Sequence, residues 1–187
     1  QRILAAALKL FVEPGYFNTN IPDLSRESHC SIGSIYHTFK SKEEIASELY
    51  IEGIKLFRLA LTNALPKNCN EKDILKNIVK AVLLFSESNH QISKYIWLCR
   101  HHEFLALKVQ SPTKVGFDKL GRSLTKAIKS GEKNGLIRNL SAPVLWSIIF
   151  GIPLAYIRDW LEGLNTDPPS IVADEIAEAC WRALSVS

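Results

Sequence analysis

The sequence predicts an all-α protein of about nine helices. Apolar side chains recur at the i, i+3 and i+4 spacing of a helix in every long segment, and no convincing run alternates apolar and polar residues as a strand would. Hydrophobic residues make up 47% and charged residues 22% of the 187 positions. This balance is typical of a globular chain and excludes a disordered or low-complexity protein.

Start and stop signals divide the first part of the chain into three short helices. The first helix ends at Pro14-Gly15, and Asn20 is placed to cap the second. Ser31 can cap the third, which runs to about Phe39. Three short helices before residue 40 predict a small helical domain, which we place at residues 1–46.

The later helices are predicted at about Ser41 to Leu65, from Asn70 onward, at Gln91 to Lys108, from Ser111-Pro112 to Gly135, at Ser141 to Leu164, and from Asp167-Pro168-Pro169 to Leu184. The first of these begins with a capping box, in which Ser41 accepts from a free amide and Glu44 reaches back. Pro153 should kink the helix that opens at Ser141, because proline removes an intrahelical hydrogen bond. No stretch approaches the ~18 consecutive apolar residues of a membrane span.

The second and third helices are joined only by a few residues near Ser28-His29-Cys30, which is helix-turn-helix spacing. Many helical proteins contain tight helix pairs without binding DNA, so the residue types matter more. Ile32, Ile35 and Phe39 share one face of the third helix and can pack inward. The opposite face is small and polar, as a helix that enters the major groove requires, and it consists of Gly33, Ser34, His37 and Thr38, with Tyr36 at its margin.

A longer pattern surrounds this helix pair. It comprises the apolar run from Ile3 to Phe11, then Gly15-Tyr16, Thr19, Ile21-Pro22-Asp23-Leu24 and the continuous stretch from Ser31 to Glu44. It closely resembles the DNA-binding domain of the TetR family of bacterial transcription regulators. The resemblance implies a homodimer on a palindromic operator, with the third helix of each subunit in the major groove. The positions that it assigns to DNA are Ser31, Gly33, Ser34, Tyr36, His37 and Thr38, with Lys42 on a phosphate and Asn20 near the DNA backbone. Lys40 follows the third helix directly, and this position also suits a phosphate contact.

One position departs from that pattern. The family commonly has Ala-Gly-Val-Ser at the turn, whereas this chain has Ser28-His29-Cys30-Ser31. Glycine adopts a positive φ at little steric cost, and histidine does so at a higher one. A phosphate contact by His29 is the alternative explanation.

Residues 1–42 carry five basic and three acidic side chains, so the local charge is only mildly positive.

Residues 47–187 form the predicted ligand-binding and dimerisation domain, and nothing in them is typical of catalysis. His101-His102-Glu103 is a poor metal site, because adjacent helical side chains point about 100° apart. We expect no cofactor and no metal. Aromatic residues mixed with a few polar ones suit a mostly apolar pocket, for which the candidates are Tyr95, Leu98, His101, His102, Leu105, Phe117, Leu120, Trp146 and Phe150.

The last two helices are predicted to form the dimer interface. The first of them is apolar on nearly all sides, and a helix of this kind must be buried on nearly all sides. In so small a domain this favours a partner subunit and a four-helix bundle across a two-fold axis. The interface candidates are Leu145, Ile149, Ile152, Tyr156, Trp160, Ile176, Cys180 and Trp181.

Together these patterns favour a transcription repressor that a small, apolar molecule releases from its operator. Four scattered cysteines without a C-x-x-C pair fit a reducing cytoplasm. The alternative is a helical ligand-binding or protein-interaction module that has lost specific operator binding. The His29 departure and the modest local charge are the support for that alternative. An all-α enzyme is a third hypothesis, and no catalytic constellation supports it.

Overall fold

The protein is helical throughout the part that its structure describes. A computed structural model describes residues 1–65, 69–99 and 118–186, and the nine helices in these ranges confirm the predicted all-α class. In chain order they are α1 (Arg2–Leu10), α2 (Ile21–Ser28), α3 (Ile32–Thr38), α4 (Lys42–Asn63), α5 (Glu71–Ser88), α6 (His90–Leu98), α7 (Asp118–Lys133), α8 (Ala142–Leu161) and α9 (Pro169–Leu184). The helix predicted from Ser111-Pro112 is described from Asp118 onward, and the rest of its start lies outside the described residues.

Caps fix the starts of α2 and α3 as the sequence predicts. The Asn20 side chain accepts from the Asp23 N–H at 2.9 Å, and the Asp23 carboxylate accepts from the Asn20 N–H at 2.9 Å. This is a reciprocal capping box, which satisfies two amides that have no partner inside the helix. The Ser31 hydroxyl oxygen accepts from the Ser34 N–H at 3.2 Å.

The start of α4 differs in one detail from the predicted capping box. The Ser41 hydroxyl oxygen accepts from the Glu44 N–H at 3.2 Å, as expected. The Glu44 carboxylate reaches back one residue further than predicted and accepts from the Lys40 N–H. The Lys40 amide, two residues before α4, is therefore satisfied by the Glu44 carboxylate from the first turn of the helix.

The helix α8 contains a π-helical turn at Ser147–Gly151, between regular segments at Ala142–Trp146 and Ile152–Leu161. In a π-helix each N–H bonds the carbonyl five residues back rather than four. The turn directly precedes Ile152 and Pro153, so a local change of helical register accompanies the missing N–H of the proline. A similar π-helical turn at Phe11–Gly15 contains Pro14 and ends at Gly15, whose φ is +93°.

The described residues group into two compact units. The first contains residues 1–56 and 91–99, and the second contains residues 57–90 and 118–186. The core of the first unit is made by side chains from α1, its π-helical turn, and helices α2, α3, α4 and α6. These residues are Ile3, Ala6, Ala7, Phe11, Tyr16, Leu24, Ile35, Ile45, Ala46, Leu49 and Tyr95. The predicted functional boundary after residue 46 stays a prediction.

The second unit is built around the pairing of α5 with α9. The sequence spacing places Ile74, Leu75, Ile78, Val79 and Val82 on one face of α5. In the structure Ile74 is partly buried and the other four are buried. Ion pairs follow the same helix pair, joining Lys76 to Glu178 at 3.0 Å, Lys72 to Glu178 at 3.6 Å, and Lys80 to Asp174. The segment after α7 bonds to the end of α9 through the bridge pair Ile137 and Ser185. Gly135, at φ +68°, ends α7 as predicted.

Candidate nucleic-acid interface

The turn between α2 and α3 has a positive φ at residue 29, where this chain has histidine and the TetR family commonly has glycine. His29 has φ 53° and ψ 33°, which is the left-handed region, and it is the one non-glycine residue with positive φ in the described ranges. The turn is held by the Ser25 hydroxyl, which donates to the Cys30 carbonyl at 2.7 Å. The buried Ser28 hydroxyl donates to the Leu24 carbonyl at 2.5 Å. Histidine therefore takes the backbone conformation that suits glycine, and the helix pair keeps its form.

Helix α3 buries one side chain and exposes most of the others. Ile35 is fully buried and Phe39 is partly buried, as predicted. The prediction that Ile32 packs inward is wrong, since 44% of this side chain is exposed. Three residues span about 300° of an α-helix, so a short helix that points Ile35 directly at the core turns Ile32 about 60° toward the edge.

The exposed surface of α3 is mostly polar. The exposed residues are its N-cap Ser31 and, within the helix, Ile32, Gly33, Ser34, Tyr36, His37 and Thr38. A Cβ placed on Gly33 would meet no atom within 4 Å, so the helix surface is open at this point. The Thr38 hydroxyl donates to the Ser34 carbonyl at 3.1 Å. All the α3 positions that the sequence assigns to DNA are therefore accessible, while their contacts with bases stay predictions.

Lys42 is held inside the unit, although the sequence assigns it to a phosphate. Its ammonium donates to the carbonyls of Tyr16 at 3.0 Å and Thr19 at 2.9 Å. It also lies 4.1 Å from the centroid of the Tyr16 ring, which is cation–π distance. Two of its three N–H donors thus tie the start of α4 to the segment before α2, and its contact with a phosphate stays a prediction.

Tyr16 and Glu43 complete this connection. The Tyr16 hydroxyl donates to the Glu43 carboxylate at 3.0 Å. Burial, followed by this hydrogen bond, raises the pKa of Tyr16 above its ordinary value. The pKa of Glu43 is lowered, chiefly by its own backbone N–H and the Ser41 hydroxyl. At neutral pH the site therefore holds a neutral phenol against a carboxylate.

The basic side chains around the helix pair differ in their availability. Lys9 pairs with Glu27 at 2.9 Å, and Arg26 pairs with Asp23. Lys40 is exposed and forms no ion pair with any residue that the structure describes. Lys40 is therefore the cation next to α3 that is most available to a phosphate. Asn20 is also exposed, and its side-chain oxygen is used by its own cap.

Helix α6 packs into the core of the first unit. Tyr95 is fully buried, and its hydroxyl donates to the Ala46 carbonyl of α4 at 2.8 Å. Its ring stacks on Phe11, with centroids 6.3 Å apart. Where α4 passes α6, a Cβ on Gly53 would lie 3.0 Å from the Ile96 side chain, so the two helices approach closely. The contacts of Tyr95 have no signal in the sequence, because its partners Ala46 and Phe11 are 49 and 84 residues away along the chain.

The predicted ligand-binding residues fall in several places. His101, His102, Leu105 and Phe117 lie outside the described residues. Tyr95 and Leu98 belong to the first unit, and Leu98 is partly buried. Leu120, Trp146 and Phe150 belong to the second unit, where Leu120 is buried and the Trp146 and Phe150 rings have centroids 5.7 Å apart. Their joint contact with a ligand stays a prediction.

A cavity of about 370 Å³ lies in the second unit, between the start of α5 and α7. It is lined by Leu65, Cys69, Glu71, Ile74, Ser123, Lys126, Ala127 and Ser130. None of the predicted ligand-binding residues that the structure describes lines it. Within the described ranges, no three His, Cys, Asp or Glu side chains cluster closely enough to hold a metal ion.

The predicted dimer-interface residues divide by exposure. Leu145, Ile149 and Cys180 are buried in the core of the subunit itself. Ile152 is 39% exposed, while Tyr156, Trp160, Ile176 and Trp181 are partly buried. Helix α8 is, by length and composition, the one described helix that could cross a membrane, and only 28% of its most apolar window is buried. The isolated chain thus leaves much of an apolar helix uncovered.

Comparison with known proteins gives two family matches that together span nearly the whole chain. A model described as bacterial regulatory proteins, tetR family, matches residues 3–49. A model described as tetracyclin repressor-like, C-terminal domain, matches residues 50–186.

Two relatives come from Bacillus subtilis (strain 168). The uncharacterized HTH-type transcriptional regulator YhgD is 26% identical over 162 residues, covering 84% of this chain and 82% of that protein. The fatty acid metabolism regulator protein is 26% identical over 151 residues, covering 79% of this chain and 78% of that protein. Among solved structures, FadR from Bacillus subtilis in complex with stearoyl-CoA aligns with a TM-score of 0.79 and 18% identity over 96% of each chain. This last likeness shows a common fold.

Proposed function

This chain belongs to the tetR family of bacterial regulatory proteins and is a DNA-binding transcription regulator, and we propose that it acts as a homodimeric repressor. In this proposal each subunit places α3 in the major groove of one half of a palindromic operator. The observation that carries it is the exposed, mostly polar face of α3, presented by a turn in which His29 takes the left-handed conformation.

The dimer is supported by the exposed side of α8. Val144 is 45% exposed and Ile152 is 39% exposed, while Ser147, Gly151 and Ala155 are exposed small residues on the same helix. A long apolar helix with such a surface favours burial against a second copy of itself. In a two-fold dimer the two α3 helices must lie about 34–36 Å apart to enter successive major grooves.

We further propose that the effector is a long-chain acyl thioester. The support is the similarity to the fatty acid metabolism regulator protein, a relative that matches most of this chain. The solved FadR structure holds stearoyl-CoA, which makes stearoyl-CoA a suitable first probe. An apolar chain suits the aromatic and aliphatic residues that the sequence places in the middle helices.

The contacts of α6 offer a route by which an effector could act on α3. Tyr95 joins α6 to the Ala46 carbonyl of α4 and to Phe11 at the end of α1. Phe11 in turn packs edge-on against Tyr16, with ring centroids 5.2 Å apart. An effector that favours a shifted α6 would therefore disturb the helices that hold α3. The effector must bind this DNA-incompetent state more tightly, since differential affinity is what shifts the equilibrium.

The test is selection of bound DNA from a random duplex pool at two salt concentrations, followed by addition of stearoyl-CoA. Enrichment of one palindrome, bound more weakly at higher salt, is the expected result. Release of that palindrome by stearoyl-CoA supports the repressor and its effector class. Failure to enrich any sequence would overturn the operator proposal and favour a cytoplasmic ligand-binding or interaction module instead.

A further inference from the structure

Helix α3, the proposed recognition helix, carries one exposed hydrocarbon side chain among its mostly polar exposed residues, and hydrogen bonding to bases does not explain it. Ile32 occupies the first position of α3, and 44% of it is exposed. Its neighbours on the chain, Ser31 and Gly33, are also exposed, and the space around Gly33 is open. A partner that approaches α3 from this side therefore meets the branched Ile32 side chain directly.

The chemistry of the major groove leaves few partners for such a group. Base edges present hydrogen-bond donors and acceptors, and the C5 methyl of thymine is the apolar group among them. The other exposed α3 side chains carry hydroxyl or imidazole groups, including Tyr36, which is 53% exposed, whereas Ile32 has no hydrogen-bonding atom in its side chain. We propose that Ile32 reads thymine in each operator half-site by packing against the C5 methyl group of the base. This inference rests on the proposed function.

The expected effect is modest and specific. Loss of one buried methyl contact corresponds to about a four-fold loss of affinity per half-site. Ile32 is not among the residues that form the core of the first unit, so its truncation should leave the fold intact. The operator thymine and Ile32 should therefore behave as a pair, in which removal of either group removes the same contact.

The experiment begins with the operator obtained by selection. Each thymine is replaced in turn by deoxyuridine, which keeps the pairing edge and the O4 acceptor and removes only the methyl. We expect one symmetry-related thymine position at which deoxyuridine weakens the wild-type protein about four-fold per half-site. Ile32→Ala should bind the thymine operator about as weakly as the wild type binds the deoxyuridine operator, and should lose nothing further on deoxyuridine.

Lys40→Ala is the matched control, because Lys40 is an exposed neighbour expected to contact phosphate. It should weaken binding to the thymine and deoxyuridine operators by the same factor. Thermal melting of Ile32→Ala confirms that the variant is folded before its affinity is interpreted.

Three results would overturn the inference, and they differ in what else they affect. If no palindrome is selected, the proposed function fails and the Ile32 contact fails with it. If a palindrome is selected but no thymine position responds to deoxyuridine, only the Ile32 contact fails. If deoxyuridine weakens Ile32→Ala as much as the wild type, another side chain reads that methyl.

Discussion

At the scale of single residues, His29 shows how the fold tolerates an unfavourable backbone conformation. A non-glycine residue in the left-handed region costs about 1–2 kcal/mol of stability. A glycine at this position avoids that cost, but it loses more conformational entropy on folding, so only part of the cost is recovered. The exposed imidazole of His29 is not part of the hydrophobic core of the first unit. The strain is therefore local to the turn between α2 and α3.

We predict that His29→Gly raises the free energy of unfolding by about 0.5–1 kcal/mol, because it removes the steric cost of the positive φ. For a chain of this length the melting temperature should rise by about 1–4 °C, measured by circular dichroism. His29→Ala is the control, since it retains a Cβ and should show no such gain. A lower melting temperature for the glycine variant would show that the imidazole itself stabilises the turn.

Two neighbouring lysines should separate stability from DNA binding. Lys42→Ala removes the donors to the Tyr16 and Thr19 carbonyls, so we expect a loss of about 1–2 kcal/mol in the free energy of unfolding. Lys40→Ala should leave the melting temperature unchanged and reduce affinity for all DNA sequences alike. Parallel melting and binding measurements on both variants give the comparison. Equal melting temperatures for the two variants would contradict the structural role of Lys42.

Residue-level features were predictable from sequence where they are local. The caps at Asn20 and Ser31 depend on residues three positions away, so the sequence contains the whole interaction. The exposure of Ile32 and the internal contacts of Lys42 depend on how α3 and α4 meet the rest of the unit. These contacts join segments that are distant in the sequence, so the inward packing predicted for Ile32 is wrong and the internal contacts of Lys42 were not predicted.

At the scale of helices, the position of α6 is the feature that the sequence did not reveal. Its amphipathic pattern predicts a helix but not the partner of that helix. In the structure its buried Tyr95 completes a core that otherwise comes from α1 to α4. The same limit applies to α8, where Pro153 signals an irregularity and only the structure assigns it to a π-helical turn.

We predict that Tyr95→Phe weakens the connection between α6 and α4 while keeping the ring stacked on Phe11. The variant loses the hydrogen bond to the Ala46 carbonyl, which should lower the free energy of unfolding by about 1–2 kcal/mol. It should also change the ratio of operator affinities with and without stearoyl-CoA, measured by fluorescence anisotropy. Ser86→Ala is the control, because it removes a buried hydroxyl that donates to the Val82 carbonyl within α5 itself at 3.2 Å. An unchanged affinity ratio in Tyr95→Phe would contradict a coupling role for this contact.

At the scale of the whole molecule, the apolar character of α8 has to be reconciled with its exposure. By length and composition α8 is apolar enough to cross a membrane, yet only 28% of its most apolar 18-residue window is buried. The helix therefore exposes an apolar surface to water, which is unfavourable. Burial of Leu145 and Ile149 in the subunit uses one side of the helix. The other side, which carries Ile152 and Ala155, requires a different partner, and a second copy meets this need with one symmetric contact.

Ala155→Glu tests that partner without disturbing the subunit core, because Ala155 is exposed in the isolated chain and glutamate is a good helix former. In a dimer the carboxylate would lose its hydration at the two-fold contact, at a cost of several kcal/mol. We therefore predict a dimer dissociation constant raised by about 100-fold or more, measured by analytical ultracentrifugation at micromolar concentration. Leu164→Glu is the control: Leu164 is 71% exposed beyond the end of α8, so this variant should leave the dimer intact.

A palindromic operator is read by two subunits held at a fixed spacing. The Ala155→Glu variant should therefore also lose affinity for the whole operator, while a single half-site is bound as before. Retention of the dimer by Ala155→Glu would move the two-fold axis away from α8, and the spacing of the two α3 helices would then need another structural origin.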